Sequence, residues 1–189
     1  MSSMYTREEL LALGIKHIGQ DVKVYKNVIF TRPGGVTLES GCQIDDFVML
    51  LASEIYVGKR VHVATMTSVI GGGTMIFEDY SGCSSGCRLI TGTDNFVGDA
   101  MANASIPIEY RKVERGVIRL CKFVLLGANT VVFPNVTISE GTATGACSLV
   151  HKDLKEWSIY LGSPAKYFKP RRRDMIPALC KKMVEKYGY

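Results

Sequence analysis

The sequence predicts an all-β chain wound as a parallel β-helix, and three observations predict it. From Leu120 to Val150 (LCKFVLLGANTVVFPNVTISEGTATGACSLV) an aliphatic residue returns every six positions, at Leu120, Leu126, Val132 and Ile138. A small or β-branched residue follows four later, at Val124, Thr130, Val136, Thr142 and Ser148. The same phase reaches back to Ile18, interrupted by short Gly- or Pro-bearing slips and one long polar excursion. A period of six suits a triangular coil of three short strands, in which stacked coils bury their aliphatic corners in one continuous core. One ordinary buried strand would not repeat the pattern over about thirty residues.

Each element follows in order. Thr6 reads as an N-cap and Glu9, three later, closes a capping box, with Tyr5 placed to staple onto Leu10 and Gly14 as terminator; residues 6–13 form a short helix over the first coil. Coils occupy 17–168. Ile18–Val22 and Val24–Val28 are in phase, Arg32-Pro33-Gly34-Gly35 is a corner insertion, and Leu38–Cys42 and Ile44–Val48 resume. A slip at 50–55 precedes Val57–Val61 and Val63–Thr67. Gly71-Gly72-Gly73 is a turn before Phe77–Ser81 and Cys83–Cys87. Residues 94–113, DNFVGDAMANASIPIEYRKV, contain no repeat and form an extended loop. Met175, Leu179, Met183 and Val184 fall at near-helical spacing, with Pro177 tolerable in the first turn, so 174–187 is a closing helix.

The 189 residues fit one domain able to bury its own core. No stretch approaches eighteen apolar residues, and Met1 to Thr6 lacks a basic-then-apolar leader, so the expectation is a cytoplasmic protein with no membrane association. A net charge of +5 is modest and concentrated around Lys169, Arg171, Arg172 and Arg173. Without interleaved aromatics it does not describe a nucleic-acid surface. Cys42, Cys87 and Cys147 fall in or beside small-residue slots and Cys83 takes an aliphatic one, so the cysteines read as compact core fillers. Cys83 and Cys87 have no second pair near them, and His17, His62 and His151 are too dispersed for a zinc site, so no metal is expected.

The chain resembles the left-handed β-helix, or hexapeptide-repeat, acyltransferases along its whole length, most closely the sugar O- and N-acetyltransferases. The likeness is carried by GANTVVFPNVTISEG at 127–141, LGSPAK at 161–166 and the long loop after Thr93. It implies a left-handed coil, acetyl-CoA as acyl donor, and a homotrimer in which the loop helps close an acceptor site against a neighbouring subunit. Asn95, Glu109, Tyr110 and Arg111 are then acceptor-binding candidates. CoA is expected along the C-terminal coils, at Gly127, Ala128, Gly145 and Ala146, where small residues allow a thin ligand to approach. Its adenosine end falls near Ser163 and Lys166, with Arg171 a candidate for phosphate. For each small residue the equally weighted reading is that it only lets the coil turn.

The sequence departs from the family at the general base. Galactoside- and maltose-type acetyltransferases carry a histidine at the head of the loop, whereas this chain reads Thr93-Asp94-Asn95. A carboxylate is a poor base for an alcohol but a usable acceptor for a proton from an ammonium-like intermediate. His62, expected to point out of its coil because Val63 points in, is the other catalytic candidate. Since a neutral amine tolerates a weak base, the preferred reading is N-acetylation of a nucleotide-linked amino deoxysugar (dTDP- or UDP-) in surface-glycan biosynthesis. The alternatives are O-acetylation of a sugar hydroxyl with His62 as base, and a non-catalytic β-helix assembly module.

Overall fold

Residues 3–189 are described by a computed structural model, and their element order follows the six-residue phase. Strands of two to five residues lie on three faces of a left-handed parallel β-helix. The first face stacks His17–Ile18, Val36–Leu38, Glu54–Val57, Thr74–Phe77, Val117–Leu120 and Val136–Ile138. The second stacks Lys23–Val24, Gln43–Ile44, His62–Val63, Gly82–Cys83, Leu125–Leu126, Ala143–Thr144 and Ser158–Leu161, with Lys166–Pro170 added antiparallel. The third stacks Ile29–Phe30, Met49–Leu50, Ser68–Ile70, Arg88–Ile90, Val131–Val132 and Leu149–Val150. Each coil hydrogen-bonds to the next, so backbone groups that a two-residue strand could not satisfy alone are paired along the stack.

All nine phase residues between Leu120 and Ser148 are buried, at 0 or 1% exposure. The second-slot Thr130, Thr142 and Ser148 stay dry because their hydroxyls donate to the carbonyls of Gly127, Lys155 and Gly145. Cys42, Cys83 and Cys87 are core residues as expected, and burial pushes the Cys42 thiol up to about 12. Cys147 is not a core filler: it is exposed at a corner with φ +57°, where its Cβ points away from the coil axis.

The corners require left-handed backbone. Between the first and second faces the stack runs Asp21, Gly41, Arg60, Tyr80, Phe123, Gly141 and Trp157, with φ from 48° to 72° throughout. Non-glycine residues pay about 1–3 kcal/mol for such angles, and side-chain stacking along the corner offsets part of it. Tyr80 and Phe123 stack at 5.5 Å, and Phe123 and Trp157 meet at 6.2 Å past Gly141, where a Cβ would strike the Trp157 ring.

The N-terminal helix α1 (Arg7–Ala12) has the predicted capping box, Glu9 N to Thr6 Oγ1 and Thr6 N to Glu9 Oε2, and buries Leu10 against the first coil. The C-terminal helix α2 (Met175–Tyr187) falls where the apolar spacing puts it. Leu154 and Ala165 join the core at the C-terminal end of the stack, with Tyr160 packed against it, and α2 runs back along the corner with Met175 and Leu179 exposed. Ile176 sits near Phe123 and Leu125, whereas Tyr189 reaches Asp21, Gly41 and Arg60. Thirteen helical residues span about 20 Å, close to the four strand spacings that separate those levels.

Candidate active site

The loop leaves the stack without breaking it, because Thr74–Phe77 pairs directly with Val117–Leu120 in the next coil. Its two ends form an antiparallel pair, Gly92 with Arg115 and Thr93 with Glu114. That root lies on a glycine bed. A Cβ at Gly71 would collide with the Gly92 backbone, and one at Gly73 with the carbonyls of Thr91 and Gly116. The Gly71–Gly73 run is therefore the seat of the loop as well as a turn.

Asp94 stands at the head of the loop, as the sequence places it. Its Oδ1 accepts from Arg111 NH2 at 2.8 Å, and this guanidinium holds the carboxyl below the ordinary aspartate range. Lys112 pairs with Asp99 at 3.2 Å. Asn95, an expected acceptor contact, is committed inside the loop: its amide donates to Asp99 and its oxygen accepts from Gly98 N. Its side chain braces the turn that aims Asp94, a role the sequence reading did not assign. Glu109 and Tyr110 are exposed on the short 3-10 turn Ile108–Tyr110. Beside Asp94 lies a cavity of about 440 Å³, walled by Ile90, Gly92, Thr93, Phe96, Phe133 and Pro134.

His62 points outward from the second face while Val63 is fully buried. Its Nε2 lies 2.9 Å from Asp45 Oδ2, and Gln43 Nε2 donates to Asp45 Oδ1 at 2.9 Å. Open clefts flank the imidazole, one lined by Gly82, Ser84, Ser85 and Leu125, the other by Arg60, Tyr80, Phe123 and Ile176. His62 and Asp94 line separate cavities of one chain, so the two proton-handling candidates are not brought together within it. Gln43 and Asp45 carried no signal of their own; adding one coil of 17 residues to Asp45 would have found His62.

The candidates for CoA divide. Gly127 and Gly145 occupy the corner between the second and third faces in successive coils. A Cβ on Gly127 would come within 2.5 Å of the Gly145 carbonyl carbon, and one on Gly145 would strike Leu161. Coil packing alone accounts for Gly127, whose neighbours there are backbone, whereas Gly145 is crowded only by the tip of the Leu161 side chain. With half-buried Ala128 and exposed Ala146 they leave a corner free of long side chains, which fits close approach by an extended pantetheine arm. Ser163 and Lys166 are exposed at the end of the same corner, where Gly162 O and Ala165 N bracket Leu149. Arg171 is elsewhere. Its NH1 donates to Phe123 O and Gly141 O, both at 2.9 Å, and burial lowers its pKa. The guanidinium clamps two corner turns at the base of α2 and is not placed as a phosphate contact.

Among the described residues no group of three or more His, Cys, Asp or Glu is arranged to hold a metal ion, and no helix is long and apolar enough to cross a membrane.

No family model matches the chain. Its likeness to known proteins nonetheless shows an acyltransferase, and the chain belongs to the left-handed β-helix, hexapeptide-repeat acyltransferases. It is similar to AntD, an N-acyltransferase from Bacillus cereus solved with dTDP and 3-hydroxybutyryl-CoA, at 33% identity over the whole of both chains and a TM-score of 0.93. Further AntD structures include a D94N variant with dTDP and CoA and an S84A variant with dTDP-4-amino-4,6-dideoxyglucose and CoA. The dTDP-4-amino-4,6-dideoxy-D-glucose acyltransferase of Escherichia coli is 29% identical over 89% of this chain and 88% of its own length. A maltose O-acetyltransferase from Clostridium difficile shares the fold alone, at 15% identity and a TM-score of 0.59 over 88% of this chain and 75% of its own.

Proposed function

We propose that the chain transfers an acyl group from a CoA thioester to the amino group of a dTDP-linked amino-dideoxysugar. The observation that carries this reading is end-to-end likeness to AntD combined with a carboxylate, Asp94, at the head of the loop. AntD was solved with substitutions at an aspartate and a serine numbered 94 and 84, and this chain has Asp94 and Ser84 at the same two numbers.

In the proposed reaction the neutral amine attacks the thioester carbonyl, a C–N bond forms, and the C–S bond breaks. CoA leaves as a thiol, taking up the proton that the nitrogen gives up. Asp94 accepts a hydrogen bond from the attacking amine and so directs its lone pair, a contribution of orientation rather than strong basicity. The corner at Gly127, Ala128, Gly145 and Ala146 accommodates pantetheine, and Ser163 and Lys166 lie towards the adenosine end. Glu109 and Tyr110 are left free to contact the acceptor.

The same reading includes a homotrimer whose sites lie between subunits, in a cytoplasmic enzyme. Three features support the assembly. His62 and Ser84 lie on a face away from Asp94. Phe96 and Val97 project from the loop at 90% and 88% exposure, and Ile29, Phe47, Met49 and Met66 are uncovered on the third face and its corner. Apolar exposure of this extent suits burial against another copy.

The test is thiol release from acetyl-CoA and 3-hydroxybutyryl-CoA with dTDP-4-amino-4,6-dideoxyglucose and with its 4-hydroxyl analogue, products being identified by mass. Turnover of the amine alone is expected. Turnover of the hydroxyl analogue alone would favour the second reading, O-acylation, which the His62–Asp45 pair supports.

A further inference from the structure

Arg111 is one of the few cations of this chain whose side chain is largely covered, at 14% exposure, and only part of its donor fork is used. NH2 meets Asp94 Oδ1 at 2.8 Å, while Nε is buried without a hydrogen-bond partner. Its NH2 is the donor that reaches the carboxylate at the loop head, so the side chain is held where it can set the direction of Asp94. The residue is reached across the loop: Met101 and Arg111 bridge, Arg111 N is tied to Ile108 O, and the Gly92–Arg115 root closes just beyond. Asp94 has about four lone-pair directions. Arg111 occupies one, the backbone N–H of Asn103 contributes a weaker contact, and the carboxylate borders the 440 Å³ cavity whose other walls carry no charge.

We propose that Arg111 is a positioning residue for acyl transfer rather than an acceptor contact: it fixes one oxygen of Asp94 and thereby aims the remaining acceptor positions at the incoming amine. This rests on the reading that Asp94 receives the amine. Arg111 is the charged group that acts on Asp94; of the other charged residues nearby in the chain, Asp99 and Lys112 pair with each other, and Glu114 and Arg115 belong to the root strand. The coil corner at Phe133 and Pro134 adds no charge. Arg111 thus dominates the field at the carboxylate.

Asp94 is kept ionised to lower pH than an ordinary aspartate, with the Arg111 hydrogen bond as the largest cause. A primary amine protonates well above the aspartate range, so the carboxylate is charged wherever the amine is neutral, with or without Arg111, and the acidic limb of activity belongs to the amine. Removing the guanidinium should therefore lower the plateau of kcat without reshaping the profile.

The experiment compares wild type, Arg111→Met, Arg111→Lys and Asp94→Asn, using acetyl-CoA and the dTDP-amino sugar, with kcat and KM resolved across pH and folding checked by thermal melting. Arg111→Met is expected to lower the kcat plateau by about tenfold to a hundredfold with KM for acetyl-CoA unchanged. Arg111→Lys, which keeps a cation without the fork, should restore part of kcat, and Arg111→Met placed in the Asp94→Asn background should cost little more, because no carboxylate is left to aim. A wild-type kcat in a folded Arg111→Met protein, a loss confined to KM for the sugar, or a full further loss in the Asp94→Asn background would overturn the positioning role. An Asp94→Asn enzyme with wild-type turnover would instead overturn the reading of Asp94 on which it rests. If Arg111→Met does not fold, Arg111→Lys decides: a wild-type kcat overturns the proposal, and a reduced kcat with KM for acetyl-CoA unchanged supports it.

Discussion

His62 and Asp45 meet at 2.9 Å across one coil of the helix, and the amide of Gln43 holds the other carboxylate oxygen at the same distance. Both side chains retain solvent contact, with His62 about half exposed. Exposed pairs of this kind contribute about 0–1 kcal/mol, so the arrangement orients the imidazole more than it stabilises the coil.

The two readings of the reaction separate on this pair. With the amino sugar, His62→Ala is expected to keep turnover within about tenfold, and Asp94→Ala to lose about a hundredfold or more. Steady-state kinetics of the two variants check this; the reverse ranking would move the chemistry to the second face. Asp45→Asn should cost less than about 1 kcal/mol in a denaturant titration.

Arg171 is expected to matter for folding rather than for CoA. Its guanidinium binds two corner carbonyls at 2.9 Å, and charged hydrogen bonds of this type are worth about 1.5–3 kcal/mol. Arg171→Met should lose a comparable amount of stability and loosen α2, seen as faster hydrogen exchange over 175–187. The dissociation constant for CoA, measured by calorimetry, should stay where it was.

Gly73 offers a steric probe of the loop root. An alanine there places its methyl group against the Gly116 and Thr91 carbonyls, which are backbone and cannot swing aside. Overpacking of this kind costs about 1–3 kcal/mol. Gly73→Ala should lower the melting temperature and raise exchange across 92–116, with a fall in turnover of the amino sugar.

The capping box supplies a pH-dependent test. Hydrogen bonds from Lys26 and from Thr6 N lower the Glu9 pKa in the folded protein. A depressed carboxylate contributes stability that is complete above its unfolded value, near 4.5, and disappears as pH falls through the folded value. The stability gap between wild type and Glu9→Gln should therefore be present at pH 7 and close on acidification. Thr6→Ala should cost about 1 kcal/mol at neutral pH.

The six-residue phase was legible because inward and outward positions recur locally: Leu126 and Thr130 are buried for the same reason wherever the unit appears. The loop bounds were legible too, since 94–113 falls between the paired ends Gly92–Thr93 and Glu114–Arg115, where aliphatic slots stop. Cys147 was misread because six-residue spacing does not separate a core slot from the left-handed corner residue beside it. For α2, apolar spacing identified a helix but carried nothing about which surface would receive it.

By itself the sequence determined the coil, its interruptions, the helix cap and the carboxylate at the loop head, because each depends on residues within one turn or one short segment. Only the tertiary structure decided what meets across coils. Asp45 reached His62, Arg111 reached Asp94, and Arg171 turned into the corner of Phe123 and Gly141. Those contacts join residues 17 to 48 positions apart. They depend on the stacking distance between coils and on how the loop folds back, neither of which leaves a periodic mark in the chain.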